Sequence, residues 1–109
     1  MNTTTYKKPK IGKEVWVLVY PYYGEPSKVI SKETVGWLGT ETFIPLGFED
    51  YVTECQQFRY DDYNEIWFTS LTAAKAKLKE LNPGCKLRPC EFHPDTVWRV
   101  VEDERNNRY

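Results

Sequence analysis

The sequence predicts a mainly β domain of the α+β class: a small, strongly bent antiparallel sheet accompanied by one helix. Three observations carry that expectation. Four Trp, eight Tyr and five Phe among 109 residues supply large buried areas and favour strands. The apolar runs are short and separated by residues suited to turns. Only one stretch, residues 70–81, repeats its apolar positions with a helical period.

In chain order, residues 1–10 contain three threonines, Pro9 and little to bury, and read as a flexible basic arm carrying Lys7, Lys8 and Lys10, with Lys13 just beyond. Residues 14–20, EVWVLVY, are β-formers with apolar side chains on both alternating faces, so this strand has to be covered on both sides. Two prolines and Gly24 make residues 21–26 a loop. Residues 27–38 are more polar, with Val29, Ile30, Val35 and Trp37 spaced along them, while Gly36 and Gly39 permit a bulge or bend. A third strand over residues 42–46 holds Pro45, which cannot donate to a ladder and so sets an edge or ends the pairing.

A fourth strand is expected over residues 53–60, pairing with residues 65–68 across a tight turn at Asp61, Asp62 and Asn64. Thr69 or Ser70 then offers a hydroxyl to the first helical turn. Leu71, Ala74, Leu78 and Leu81 recur on one helix face, and Asn82-Pro83-Gly84 stops it. Closely spaced short strands followed by one helix suggest an SH3-like barrel or half-barrel with the helix over an open end or an edge. Residues 85–94, with Pro89 and Pro94, read as irregular. Residues 96–101 read as a last strand by β-propensity, although Asp95 could instead cap a helix there. Residues 102–109 form a charged tail, and the whole chain, 1–109, reads as a single domain.

The run Lys10-Ile11-Gly12-Lys13-Glu14-Val15-Trp16, together with Tyr60-Asp61-Asp62-Tyr63 and Trp67-Phe68-Thr69-Ser70 followed by Ala74 and Leu78, resembles small uncharacterised SH3-like proteins of phages and mobile elements of Gram-positive bacteria. The resemblance covers residues 10–81 and brings no catalytic motif. It implies a mobile-element accessory protein, and inhibitors of host defence, anti-CRISPR-like proteins among them, are common in that group.

A formal net charge of −1 argues against a chain built chiefly to neutralise a nucleic-acid backbone. No apolar run approaches the roughly 20 residues needed to span a bilayer, and MNTTTYKKPK lacks the apolar region of a secretion signal. A cytoplasmic protein is therefore expected, with its three cysteines reduced.

Candidate chemistry is sparse, and no enzyme or cofactor is expected. Cys85, Cys90 and His93, with Cys55 as a fourth ligand, could hold zinc, but a four-residue gap between the first two thiols departs from the usual two-residue knuckle. Cys90 beside Arg88 and His93 is the one place for a nucleophile, and it lacks an evident oxyanion hole. A recognition surface is the better reading. Residues 49–65 hold six acids, Glu49, Asp50, Glu54, Asp61, Asp62 and Glu65, against the single base Arg59, with Tyr51, Tyr60 and Tyr63 interleaved. Tyrosine offers contact area at low entropic cost, and carboxylates steer a basic partner. The expected function is a non-enzymatic module that binds, and inhibits, a host protein such as a defence nuclease. Two alternatives are a nucleic-acid-binding accessory using Lys7, Lys8, Lys10, Lys75 and Lys79, with Lys77 on the same basic helix side, and a zinc-stabilised adaptor.

Overall fold

The computed structural model describes residues 8–19, 26–47 and 57–101, which form seven strands, a 3-10 turn and one α-helix. The strands are β1 (Glu14–Val19), β2 (Val29–Leu38), β3 (Thr42–Pro45), β4 (Phe58–Arg59), β5 (Trp67–Phe68), β6 (Lys86–Pro89) and β7 (Val97–Val101). The helix, α1, spans Leu71–Leu81, and the 3-10 turn spans Tyr60–Asp62. Every strand pairing is antiparallel, and the sheet curls into a half-barrel around the long strand β2.

One edge of β2 carries β1, from Val29↔Val19 to Thr34↔Glu14. The other edge is shared in tandem, by β7 beside Val29, Ile30 and Ser31 and by β3 beyond Val35. The register slips between Val35 and Trp37, placing a bulge at Gly36, where the sequence permits one. That bend turns the far half of β2, with β3 and β4, over one face of β1. Pro45 ends the β2–β3 ladder, although β3 itself lies between β2 and β4 rather than at an edge.

β1 is covered on both faces, as its doubly apolar pattern requires. Val15 and Val17 point into one core with Val35, Phe43, Tyr60 and Trp67. Trp16 and Leu18 point into a second core with Ile30, Phe68, Ala74 and Leu78, beneath the helix. The consecutive residues Trp67 and Phe68 split between the two cores because side chains alternate across a strand. Phe43 meets Trp67 edge-on at 5.2 Å and stacks on Phe58 at 5.5 Å between centroids.

The helix begins where its hydroxyl cap predicts. Ser70 is extended (φ −131°, ψ 146°), and its Oγ accepts a hydrogen bond from the Ala73 N–H at 3.1 Å. At the other end the buried Asn82 side chain donates to the Leu78 carbonyl at 3.0 Å and to the Ser27 carbonyl at 2.9 Å, tying the helix to the approach to β2. Gly84 follows at φ +85°, a left-handed conformation that glycine adopts without strain.

Two expectations are corrected. Of the strand expected over residues 53–60, residues 53–56 lie outside the described residues, and its described end does not pair with residues 65–68. Phe58 and Arg59 pair with Phe43 and Thr42, while Trp67 and Phe68 pair with Val17 and Trp16, so the turn carries the chain from one end of the curled sheet to the other. The crossover covers the edge of β1 that β2 leaves unpaired. Residues 85–94 are not wholly irregular either: Lys86–Pro89 is β6, paired with β7 from Lys86↔Val101 to Pro89↔Trp98. Pro89 is tolerated because it stands at the end of an edge strand. The last strand forms at Val97–Val101, and the helical alternative there is not adopted.

Of the basic arm, residues 1–7 lie outside the described residues, as does the tail, residues 102–109. At the described end of the arm Pro9 is buried, and Lys8 Nζ lies 5.3 Å from the centroid of the Tyr60 ring. No helix among the described residues is long and apolar enough to cross a membrane.

Candidate functional site

The turn between β4 and β5 carries five of the nine residues expected to recognise a partner. The other four, Glu49, Asp50, Tyr51 and Glu54, lie outside the described residues. The turn is rigid for local reasons. The carbonyl of Asp62 accepts hydrogen bonds from the N–H groups of Glu65 and Ile66, at 2.9 and 2.8 Å, and Asn64 adopts φ +69°, a conformation asparagine tolerates well. From below, the Trp67 indole Nε1 donates to the Arg59 carbonyl at 2.8 Å.

Tyr60 is not part of any outward surface, which corrects the sequence-based expectation. It is 2 % exposed, and its hydroxyl donates to the Gly39 carbonyl at 2.7 Å. The cause is the 3-10 turn that begins at this residue. It directs Tyr60 into the core beside Phe43 while Asp61 faces solvent. Burial also pushes the Tyr60 hydroxyl pKa up. Tyr63 is half-buried, its ring 4.8 Å from that of Trp67 and its hydroxyl sharing a 2.9 Å hydrogen bond with that of Thr69.

The carboxylates fall into two kinds. Asp61 accepts from Arg59 through both oxygens, Nε to Oδ1 at 3.1 Å and Nη2 to Oδ2 at 3.2 Å, and this bidentate contact lowers its pKa while raising that of Arg59. Arg59 also reaches Glu41 at 3.5 Å. Glu65 is bound by Lys77 at 2.8 Å, and Lys77 touches Glu80 at 3.5 Å; the hydrogen bond that Lys77 donates to Glu65 raises the Lys77 pKa. Asp62 makes no ion pair among the described residues. Desolvation and then the neighbouring Asp61 charge push its pKa up, with Glu65 adding to the shift and Arg59 opposing it. Around the turn five carboxylates, Glu41, Asp61, Asp62, Glu65 and Glu80, thus face two cations, Arg59 and Lys77.

A second feature lies along the helix. An open groove of about 640 Å³ runs between α1 and the β6–β7 hairpin, with Lys75, Lys79, Cys85, Lys86, Leu87 and Trp98 in its walls and no carboxylate among its lining residues. Lys75 Nζ stands 3.5 Å from the centroid of the Trp98 ring. The sequence grouped Lys77 with Lys75 and Lys79, but residues two apart on a helix face different ways, whereas residues four apart share a face. Lys77 accordingly leaves the groove for Glu65. Lys86 and Trp98 were not singled out from sequence. The alternation Lys86-Leu87-Arg88, polar-apolar-polar, was the available sign of the strand that brings them here.

Lys8 and Lys75 stand over different rings, Tyr60 in one core and Trp98 beside the other, so the described N-terminal and helical lysines do not converge on a common ring. Cys85, Cys90 and His93 are not gathered into a metal-binding set, and no three such ligands converge among the described residues. The extended strand β6 lies between the two cysteines and separates their backbones by roughly 16 Å at ~3.3 Å per residue. Cys55 lies outside the described residues. In comparisons with protein-family models, curated proteins and solved structures, none matches this chain significantly.

Proposed function

We propose that this chain is a non-enzymatic protein-interaction module built on an SH3-like sheet, and that it docks on a basic protein surface through the acidic turn between β4 and β5. The observation that carries the reading is Asp62. It is a half-buried carboxylate in a hydrogen-bonded turn, beside two acids whose cations are already engaged, and without an ion pair of its own among the described residues. An arginine or lysine from a partner would offset the desolvation and the Asp61 repulsion that together raise its pKa. Asp61, Glu65 and the exposed part of Tyr63 flank it. Tyr60 acts from behind as a support and does not touch the partner.

The resemblance over residues 10–81 sets this surface in the context of a phage or mobile-element accessory protein, and makes a host protein, such as a defence nuclease with a basic substrate groove, the favoured target. The test is affinity capture from a Gram-positive host lysate, with and without nuclease treatment, followed by titration of the recovered partner. Replacing Asp61→Asn, Asp62→Asn and Glu65→Gln together is expected to weaken that complex at least about tenfold. Undiminished affinity would remove the turn from consideration.

A further inference from the structure

The groove beside α1 differs from the acidic turn in its unbalanced positive charge. Lys75 and Lys79 lie one helical turn apart on α1, and Lys86 opens β6 across from them. None of the three makes an ion pair among the described residues. Arg88 and Arg99, directly opposite in the β6–β7 register, are exposed on the other face of that hairpin and lie outside the groove.

Trp98 supplies the other half of a site. Its ring packs beside the second core, and the Lys75 ammonium stands over it with no carboxylate holding it there among the described residues. Lys75 can therefore swing to an incoming anion and leave the indole face to a flat ring. The cations are also strung out rather than gathered around one point. Lys75 to Lys79 advances ~6 Å along the helix, and Lys86 stands across the groove at the start of β6. That distribution suits a chain of phosphates better than a single phosphate group, and the aromatic floor suits a base that is free to leave its stack.

We infer that this groove binds single-stranded nucleic acid, with a base on Trp98 and successive phosphates on Lys75, Lys79 and Lys86. The site does not depend on the acidic turn. Duplex DNA fits it poorly, because paired bases cannot offer a face to Trp98.

The full chain would be titrated against a fluorescein-labelled oligothymidylate of about a dozen nucleotides, followed by anisotropy and tryptophan quenching. Three phosphate contacts on a single strand predict that raising salt from about 50 to about 200 mM weakens binding about 20-fold. In Lys79→Ala the same salt step should weaken binding only about 7-fold, one contact having been lost. Trp98→Leu should abolish most of the quench while leaving the salt dependence unchanged. Should that variant fail to fold by circular dichroism, Lys79→Ala and Lys86→Ala, both at exposed positions, still decide the matter. Absence of binding at low salt, equal affinity for duplex or heparin, or lysine variants that bind like the parent would each overturn the inference. The Asp61→Asn, Asp62→Asn, Glu65→Gln variant should bind the oligonucleotide as the parent does, which separates this site from the protein-docking surface.

Discussion

The acidic turn and the basic groove are both rich in charge, yet they hold it differently. In the turn most charges are engaged internally: Arg59 spans Asp61 and Glu41, and Lys77 spans Glu65 and Glu80. What remains for a partner is the surplus of acid over base, concentrated at Asp62. In the groove Lys75, Lys79 and Lys86 have no such counter-ions among the described residues, and the nearest thing to a partner is an indole ring. A run of charges in sequence is therefore a poor guide to the charge a surface offers. What decides the outcome is whether the fold brings the opposite sign within reach.

The sharpest way to break this contrast is at Trp67, which is fully buried and anchors the turn to the sheet through the Arg59 carbonyl. Trp67→Ala should lower stability by about 3–5 kcal/mol, enough to unfold much of a domain this size. Denaturant unfolding measures it, and a loss under about 1 kcal/mol would mean that the turn is not a core element. A smaller effect is expected from Tyr60→Phe, which leaves the ring in place and removes the donor to Gly39. A loss of about 1 kcal/mol in the same measurement would place Tyr60 in the structural set rather than the binding set.

The smallest effect, and the one that probes free charge directly, is at Asp62. Its folded pKa is raised, so the ionised carboxylate is less favourable in the folded chain than in the unfolded one. The penalty is fully present above the folded pKa and vanishes as pH falls through that value towards the ordinary carboxylate range, where the group is neutral in both states. Asp62→Asn should therefore raise Tm slightly at neutral pH and lose that advantage on acidification. Asp61 has the opposite sign, since Arg59 lowers its pKa and its contribution is lost only as pH falls below the ordinary range. Thermal melts of the two asparagine variants across acidic pH should diverge in these directions. Parallel behaviour would mean that the two neighbouring carboxylates do not differ as described.

Local pattern was enough to place β1, β3 and α1, because each depends on side-chain pattern or on a cap within a few residues, whereas at the final strand β-propensity favoured a strand but left a helix capped by Asp95 open. The Ser70 hydroxyl and the spacing of Leu71, Ala74, Leu78 and Leu81 needed no distant partner to be read. The two-sided burial of β1 followed from its composition alone.

The sequence did not disclose which strand each segment meets, since β-pairing depends on contacts far apart in the chain. Asp61, Asp62 and Asn64 mark a reversal equally well whether the flanking strands pair with each other or, as here, with β3 and β1. The same holds for the site. The carboxylates and lysines could be counted from the sequence, but only the tertiary structure sets Lys77 against Glu65, turns Tyr60 inwards and places Lys86 and Trp98 beside α1. Periodicity fixes which way a side chain points relative to its own backbone, whereas packing of distant segments decides what it meets.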